Sequence, residues 1–118
     1  MIEQIVQQYL AEHMDVPVLM ELPEVPSEEF PSMPERFIVL EKVGGNMRDG
    51  TEHGSIAVQS YSLNSLYEAA QLDEEMRATI WGIIELDEIS EITISSNYNH
   101  TDTRTKRYRY QSVFDFSF

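Results

Sequence analysis

Three histidines and two short acidic runs are the residues of this chain that could do acid-base or metal chemistry. No two of His13, His53 and His100 stand three or four residues apart, the spacing that brings two zinc ligands onto one helix face. Glu52 precedes His53 in a glycine-rich stretch, where we interpret the histidine as a solvated loop residue rather than half of an acid-base pair. We therefore expect no catalytic residue and no enzyme activity.

The acidic runs are "DEE" at Asp73 to Glu75 and "ELDE" at Glu85 to Glu88. A hard cation needs several oxygen ligands, and neither run has the glycine-centred spacing of a calcium loop. Runs of this kind beside helices are typical of solvated faces. The stretch "GGNMRDG" lacks the Lys-Ser or Lys-Thr pair of a phosphate-binding loop. We expect no metal site and no cofactor.

Half of the positive charge lies in one short stretch, although the chain has eight Lys and Arg against 21 Asp and Glu. Arginine interleaved with aromatic residues is typical of proteins that stack single-stranded nucleic acid. Alternation along a strand, however, places Arg107 and Arg109 on the face opposite Tyr108 and Tyr110, and the net charge of −13 opposes phosphate binding. We expect no specific nucleic-acid binding, and we predict that a negative protein surface contacts this basic cluster, which comprises Arg104, Lys106, Arg107 and Arg109.

The largest negative surface is predicted in the chain itself. Residues 1–35 contain eight acidic side chains and neither Lys nor Arg, and four of the five prolines lie between Pro23 and Pro34. Proline opposes both helix and central strand, so residues 22–35 are predicted to form an irregular, projecting loop with Glu24, Glu28 and Glu29. If copies pack side by side, the basic cluster of one can contact the segment Glu21 to Glu35 of the next, and such a contact can close into a ring.

A second irregular loop is predicted at residues 44–54, where "GGNMRDGTEHG" holds four of the five glycines. Loops held in place by a sheet often carry binding residues. Arg48 and Asp49 are therefore the candidate partner-contact residues of this loop.

Hydrophobic periodicity predicts the elements that position these residues. The first 13 residues have the apolar spacing of an amphipathic helix, from Ile2 to about His13. Residues 16–21 are predicted to form a short strand. Residues 36–43 are predicted to form a central strand covered on both faces, and residues 55–62 its hairpin partner.

A second helix is predicted over residues 63–84, because Ser65 and Glu68 match a capping box and an apolar stripe follows. Two strands then complete the chain, with alternate apolar residues from Ile92 and from Tyr108 to Phe118. A loop centred near Thr101 predicts that Ile92 pairs with Tyr110, Ile94 with Tyr108, and Thr93 with Arg109.

The order α-β-β-β-α-β-β predicts an α+β fold: a mixed, mostly antiparallel sheet of four to five strands with two helices packed on one side. At 118 residues we expect one domain, residues 1–118. The chain has no cysteine, no basic apolar leader and no apolar run of membrane length, so we expect a soluble protein without disulfides.

Several segments together resemble the small tail-completion and tail-terminator proteins of long-tailed bacteriophages and prophages. They are "DVPVLMELPEVPSEEFP", "RFIVLEKVGG", "SIAVQSYSLNSLYEAAQLDEEMRATI" and the closing "YNHTDTRTKRYRYQSVFDFSF". The resemblance covers nearly the whole chain, and its specificity lies in the combination of these segments. It carries no catalytic signature.

The resemblance implies a structural protein without cofactors that forms a ring, typically hexameric, on the head-proximal end of the tail tube. Such a ring stops tube polymerisation and provides a docking surface for the head connector. It also implies the host cytoplasm during assembly, and later the virion, as the location. The alternatives are a head-closure or connector-adaptor neck protein and, from another class, a small acidic binding module or enzyme.

Overall fold

The computed structural model describes residues 2–48, 51–101 and 107–118, with side chains except at 46–48 and 51. The elements follow the predicted order: α1 (Ile2–His13), β1 (Val18–Leu19), β2 (Arg36–Arg48), β3 (Thr51–Ser62), α2 (Leu66–Ile80), a 3-10 helix (Trp81–Glu85), β4 (Glu91–Asn99) and β5 (Tyr108–Ser117). No helix in these ranges has both the length and the apolar character needed to span a membrane.

The strands form one five-stranded sheet in the order β1-β2-β3-β5-β4. β1 is parallel to β2, and the other three neighbouring pairs are antiparallel. The predicted α+β fold with a mixed, mostly antiparallel sheet is thus confirmed. The chain passes from β3 through α2 to β4, and β5 then returns between β3 and β4. β4 therefore forms one edge of the sheet.

Both helices pack on the same face of the sheet and enclose the main core. Alternation along β3 and β5 turns Ile56, Val58, Phe114 and Phe116 toward the helices, and all four are fully buried. The helices contribute a matching apolar stripe, which consists of Ile2, Val6, Leu10, Leu72, Met76 and Ile80.

A smaller apolar cluster lies on the opposite, helix-free face. Phe37, Val39 and Tyr61 are buried there, and Leu19 and Met33 pack against them. The rings of Phe37 and Tyr61 stack with centroids 4.7 Å apart. β2 is therefore covered on both faces from Phe37 to Leu40, as the apolar sequence there predicted, whereas Glu41 to Gly45 are exposed.

The predicted register of the last two strands is wrong. Ile92 pairs with Phe116 and Ile94 with Phe114, each six residues farther along β5 than predicted. A shift by an even number of residues keeps every side chain on the same face of the sheet. Alternation therefore predicts which face each side chain occupies but not which residues pair. β4 also has a bulge between Ile94 and Ser96, which breaks the simple count.

The prediction that residues 44–54 form an irregular loop is also wrong, because β2 continues to Arg48 and β3 begins at Thr51. The hairpin holds three glycines in its strands, with a register shift between Lys42 and Gly44. At Gly54 a Cβ atom would lie 3.3 Å from Ile2 and 3.4 Å from the Phe118 ring. This glycine permits close packing of α1 and the chain end rather than a turn.

The remaining differences between the predicted and the observed elements concern where each element begins and ends. α2 begins at Leu66, three residues after the predicted start at residue 63, but the predicted cap is confirmed, because Ser65 Oγ accepts a hydrogen bond from the Glu68 amide at 3.1 Å. The helical region, however, is α-helical only to Ile80 and then tightens to the 3-10 helix. The strand predicted at residues 16–21 is reduced to β1, and residues 22–35 contain neither helix nor strand, as predicted.

Candidate interface surfaces

The helix-free face carries a polar network that the sequence did not predict. Gln59 Nε2 donates to Gln111 Oε1 at 2.9 Å, and Gln111 Nε2 donates to the Tyr98 hydroxyl at 2.6 Å. The Tyr61 hydroxyl donates to Gln59 Oε1 at 3.2 Å. We call these four residues, together with Arg109, the polar ladder. It crosses β3, β5 and β4, and both glutamines are buried although no helix covers them.

Arg109 is held in this ladder. Its Nη1 donates to the Tyr61 hydroxyl at 2.9 Å and its Nε to the His100 carbonyl at 2.6 Å, while the guanidinium carbon lies 5.8 Å from the Tyr61 ring centroid. The half-buried Arg109 thus lies on the helix-free face, as alternation predicted. These hydrogen bonds use part of the donor capacity of the guanidinium within the chain. They also hold His100, which follows β4, beside β5.

Of the other basic-cluster residues, Arg107 is described and half-buried, and alternation places it on the same face as Arg109. Arg104 and Lys106 lie outside the described residues. Within the described part of the chain, neither Arg107 nor Arg109 forms a salt bridge. Their charge is therefore available for longer-range attraction to an acidic surface.

The acidic segment, residues 21–35, has an internal turn and a contact with the apolar cluster on the sheet. Ser27 and Phe30 close a turn, with the Ser27 amide donating to the Phe30 carbonyl and the Phe30 amide to Ser27 Oγ, each at 2.9 Å. Met33 packs on the apolar cluster below. Glu24, Glu28 and Glu29 are exposed, as predicted.

A groove of about 410 Å³ runs between β1 and the first part of this segment. Its lining combines apolar side chains with carboxylates, among them Met20, Leu22, Phe30, Glu21, Glu24 and Glu29. A groove of this composition suits a ligand segment that is both apolar and basic. Asp49 and the side chain of Arg48, the remaining candidate contacts, lie outside the described part.

The acidic segment starts at one edge of the sheet, whereas the basic residues lie near the other edge. The acidic segment leaves edge strand β1 and returns to β2, whereas Arg109 belongs to β5, beside edge strand β4, and Arg107 directly precedes β5. Within one copy they approach each other only at the end of the segment, because Arg109 contacts Tyr61 and Met33 packs on the cluster that contains Tyr61, while the start of the segment stays beside β1. Two copies lying edge to edge would bring the acidic surface of one next to the basic surface of the other.

On the helix side, one acidic residue is buried, contrary to the prediction that Asp73 to Glu75 form a solvated face. Asp73 is 1% exposed, and its carboxylate accepts hydrogen bonds from Arg77 Nε at 2.9 Å, Asn97 Nδ2 at 2.8 Å and Ser112 Oγ at 2.7 Å. Ser112, the one small residue in the aromatic row of β5, was the signal for this site. The cluster joins α2 to β4 and β5.

The histidines lie apart from one another and serve local packing. His13 stacks on Tyr9, His53 Nδ1 is 3.0 Å from Ser117 Oγ, and the His100 ring lies edge-on to Tyr98. Across the described ranges, no three His, Asp or Glu side chains form a group that could hold a metal ion.

Neither a scan against models of known protein families nor a search of curated proteins finds a match for this chain. Its function is therefore inferred from its own residues and from the resemblance of its sequence segments.

Proposed function

We propose that this protein is a structural component of phage tail assembly that forms a ring on the head-proximal end of the tail tube. The ring stops tube polymerisation and provides the docking surface for the head connector. The observation that carries the proposal is that the acidic segment starts at edge strand β1, whereas Arg109 lies on β5, next to the opposite edge strand β4. The element order, which agrees with the fold that the resemblance implies, supports it further.

This arrangement suits a ring because a contact between two different surfaces repeats from copy to copy and closes when the rotation between copies allows it. A sixfold ring is the form implied by the resemblance. Such a ring would present a strongly acidic surface, since each copy carries a net charge of −13. Negative charge around a central channel would let DNA pass without binding, because phosphate affinity depends on Lys and Arg.

The proposal is tested with purified protein and purified tail tubes, by electron microscopy of the tube ends. Wild-type protein is expected to add a ring at one end of each tube and to prevent further addition of tube subunits. Protein that binds DNA-filled heads and leaves tube ends bare would contradict the proposal and favour a neck protein.

The charge contact is tested by reversal of one partner and then of both. Arg107→Glu is expected to weaken ring formation, with the largest effect at low salt, where screening is least. Adding Glu28→Arg restores opposite charges at the contact and is expected to recover part of the loss. Ring formation by Arg107→Glu that equals wild type throughout a salt series would contradict the charge contact.

A further inference from the structure

Both edges of the sheet have unpaired backbone. β1 pairs only with Ile38 and Val39 of β2, so from Glu41 to Gly45 the outer side of β2 has no strand beside it in the described part of the chain. β4 is the opposite edge, and its nine residues contain neither Lys, Arg nor Pro, the residues that commonly protect edge strands from pairing. The β2 stretch contains one such residue, Lys42, whose ammonium lies 3.9 Å from the Glu3 carboxylate of α1. Both stretches have backbone that no strand pairs in the described part of the chain.

Exposed apolar residues mark these two edges at the same height in the sheet. Cross-strand partners connect Lys42, Ile56, Phe114 and Ile94 in one row. Ile94 ends this row at the β4 edge and is 40% exposed, while Val43, next to Lys42 at the β2 edge, is 52% exposed. An exposed apolar side chain at the β4 end of this row, and another directly after its β2 end, suit burial against a neighbour.

The patch at the β4 edge is larger than Ile94 alone. The Trp81 ring lies edge-on to Phe114, the cross-strand partner of Ile94, with centroids 5.6 Å apart. Ile84 follows Trp81 by three residues in the 3-10 helix, a spacing that places both on one side of that helix. Both side chains are exposed. An apolar surface therefore continues from the β4 edge onto the helix side.

The backbone irregularities of the two edges also lie at this height. The ladder of β2 shifts between Lys42 and Gly44, and that of β4 shifts between Ile94 and Ser96. Bulges bend a strand and increase its twist. If the two edges paired, their bends would coincide, and the sheet would curve between copies as a closed ring requires.

A second row shows that the charges match in the same alignment. Val18, Ile38, Ser60, Tyr110 and Asn99 are successive partners across all five strands. The end of β4 that lies beside Arg109 is thus level with β1, directly before the acidic segment. Edge-to-edge contact at equal height places the basic end of one copy beside the acidic segment of the next.

We propose that the first half of β4, Glu91 to Ile94, in one copy pairs with the open stretch of β2, Glu41 to Gly45, in the next copy, so that the sheet continues around the assembly. The second half of β4, beyond its bulge, passes outside β1, which already pairs with Ile38 and Val39. β4 runs antiparallel to β2 within a copy, since three antiparallel steps separate them, and copies in similar orientation therefore pair antiparallel. Ile94, Trp81 and Ile84 become buried beside the β2 edge. This inference rests on the proposed ring and names the contact that builds it.

Thiol crosslinking tests the pairing, because the chain has no native cysteine. Within one copy, three strand spacings, about 14 Å, separate the β2 and β4 edges, so a shorter crosslinker cannot join them in one chain. Val43→Cys/Ile94→Cys protein is expected to give a series of crosslinked multimers. The control, Val43→Cys/Tyr67→Cys, uses a residue that is 72% exposed on α2 and is expected to give none. No multimers from the Val43/Ile94 pair, or a crosslinked dimer from Ile94→Cys alone, which indicates two-fold β4 pairing, would overturn the inference.

Lysine substitutions at the two edges provide a second test of the pairing between β4 and β2. Ile94→Lys and Val43→Lys should each weaken association by about tenfold or more, while circular dichroism checks that both remain folded. Mixing the two variants is expected to produce dimers that do not grow, because each supplies one intact edge. Lysine variants that form rings on tube ends as well as wild type would overturn the edge pairing and leave the ring proposal standing. Crosslinked multimers without rings on tube ends would instead refute the proposed function and leave the pairing standing.

Discussion

The buried Asp73 cluster gives the most quantitative stability prediction, for the substitution Asp73→Ala. The change removes three hydrogen bonds to a buried carboxylate. Arg77 is 37% exposed and can turn to water, and Asn97 and Ser112 keep their mutual 2.7 Å hydrogen bond, so the loss is smaller than the full sum. Hydrogen bonds to charged groups contribute about 1.5–3 kcal/mol each, and we therefore expect a loss of about 3 kcal/mol of unfolding free energy.

Urea unfolding followed by circular dichroism measures this loss. With a typical slope of about 2 kcal/mol per molar urea, the midpoint should fall by about 1.5 M. The matched control is Glu74→Ala, which removes an exposed carboxylate from the next position of α2 and should change stability by no more than about 0.5 kcal/mol. Equal midpoints for the two variants would refute the assignment of Asp73 as the residue that ties α2 to β4 and β5.

Two further predictions concern the helix contacts and the polar ladder. At Gly82 a Cβ atom would overlap the Tyr9 hydroxyl, so Gly82→Ala should lower stability by about 1–2 kcal/mol. The control Gly44→Ala, where no atom lies within 4 Å of the added Cβ, should not lower stability by more than about 0.5 kcal/mol. Thermal unfolding compares the two variants, and equal losses would contradict the packing of Gly82 against Tyr9. Tyr61→Phe removes the hydroxyl that accepts a hydrogen bond from Arg109, and it should lower the free energy of unfolding by about 1 kcal/mol. It should also speed amide hydrogen exchange at the end of β4. Unchanged exchange there would contradict the role of the polar ladder.

Much of the fold was predictable because it depends on local periodicity. The 3.6-residue spacing determined α1, the cap at Ser65 determined the start of α2, and period-two alternation determined which side chains of β5 face the helices. Register was not predictable, since a shift of six residues leaves this alternation unchanged. The glycines of the hairpin wrongly indicated a loop. At Gly54 the reason for glycine is instead the close contact with Ile2 and Phe118, which are distant in sequence.

The candidate surfaces were predictable only in part. Charge clustering identified the acidic segment and the face of Arg109, because both depend on residue type and alternation. The polar ladder and the burial of Asp73 depend on partners from three different strands or elements, so no single stretch of sequence contains them. The placement of the exposed Val43 and Ile94 at the same height on opposite edges likewise becomes visible only once the strand order is known.

The most direct test of the account is the length of tail tubes assembled with and without this protein. Negative-stain images of particles from a phage or prophage whose gene for this protein is deleted are expected to contain tubes of uncontrolled length without attached heads. Complementation with the wild-type gene should restore one uniform length. Deletion that leaves tubes of normal, uniform length would contradict the proposal that this protein terminates the tail.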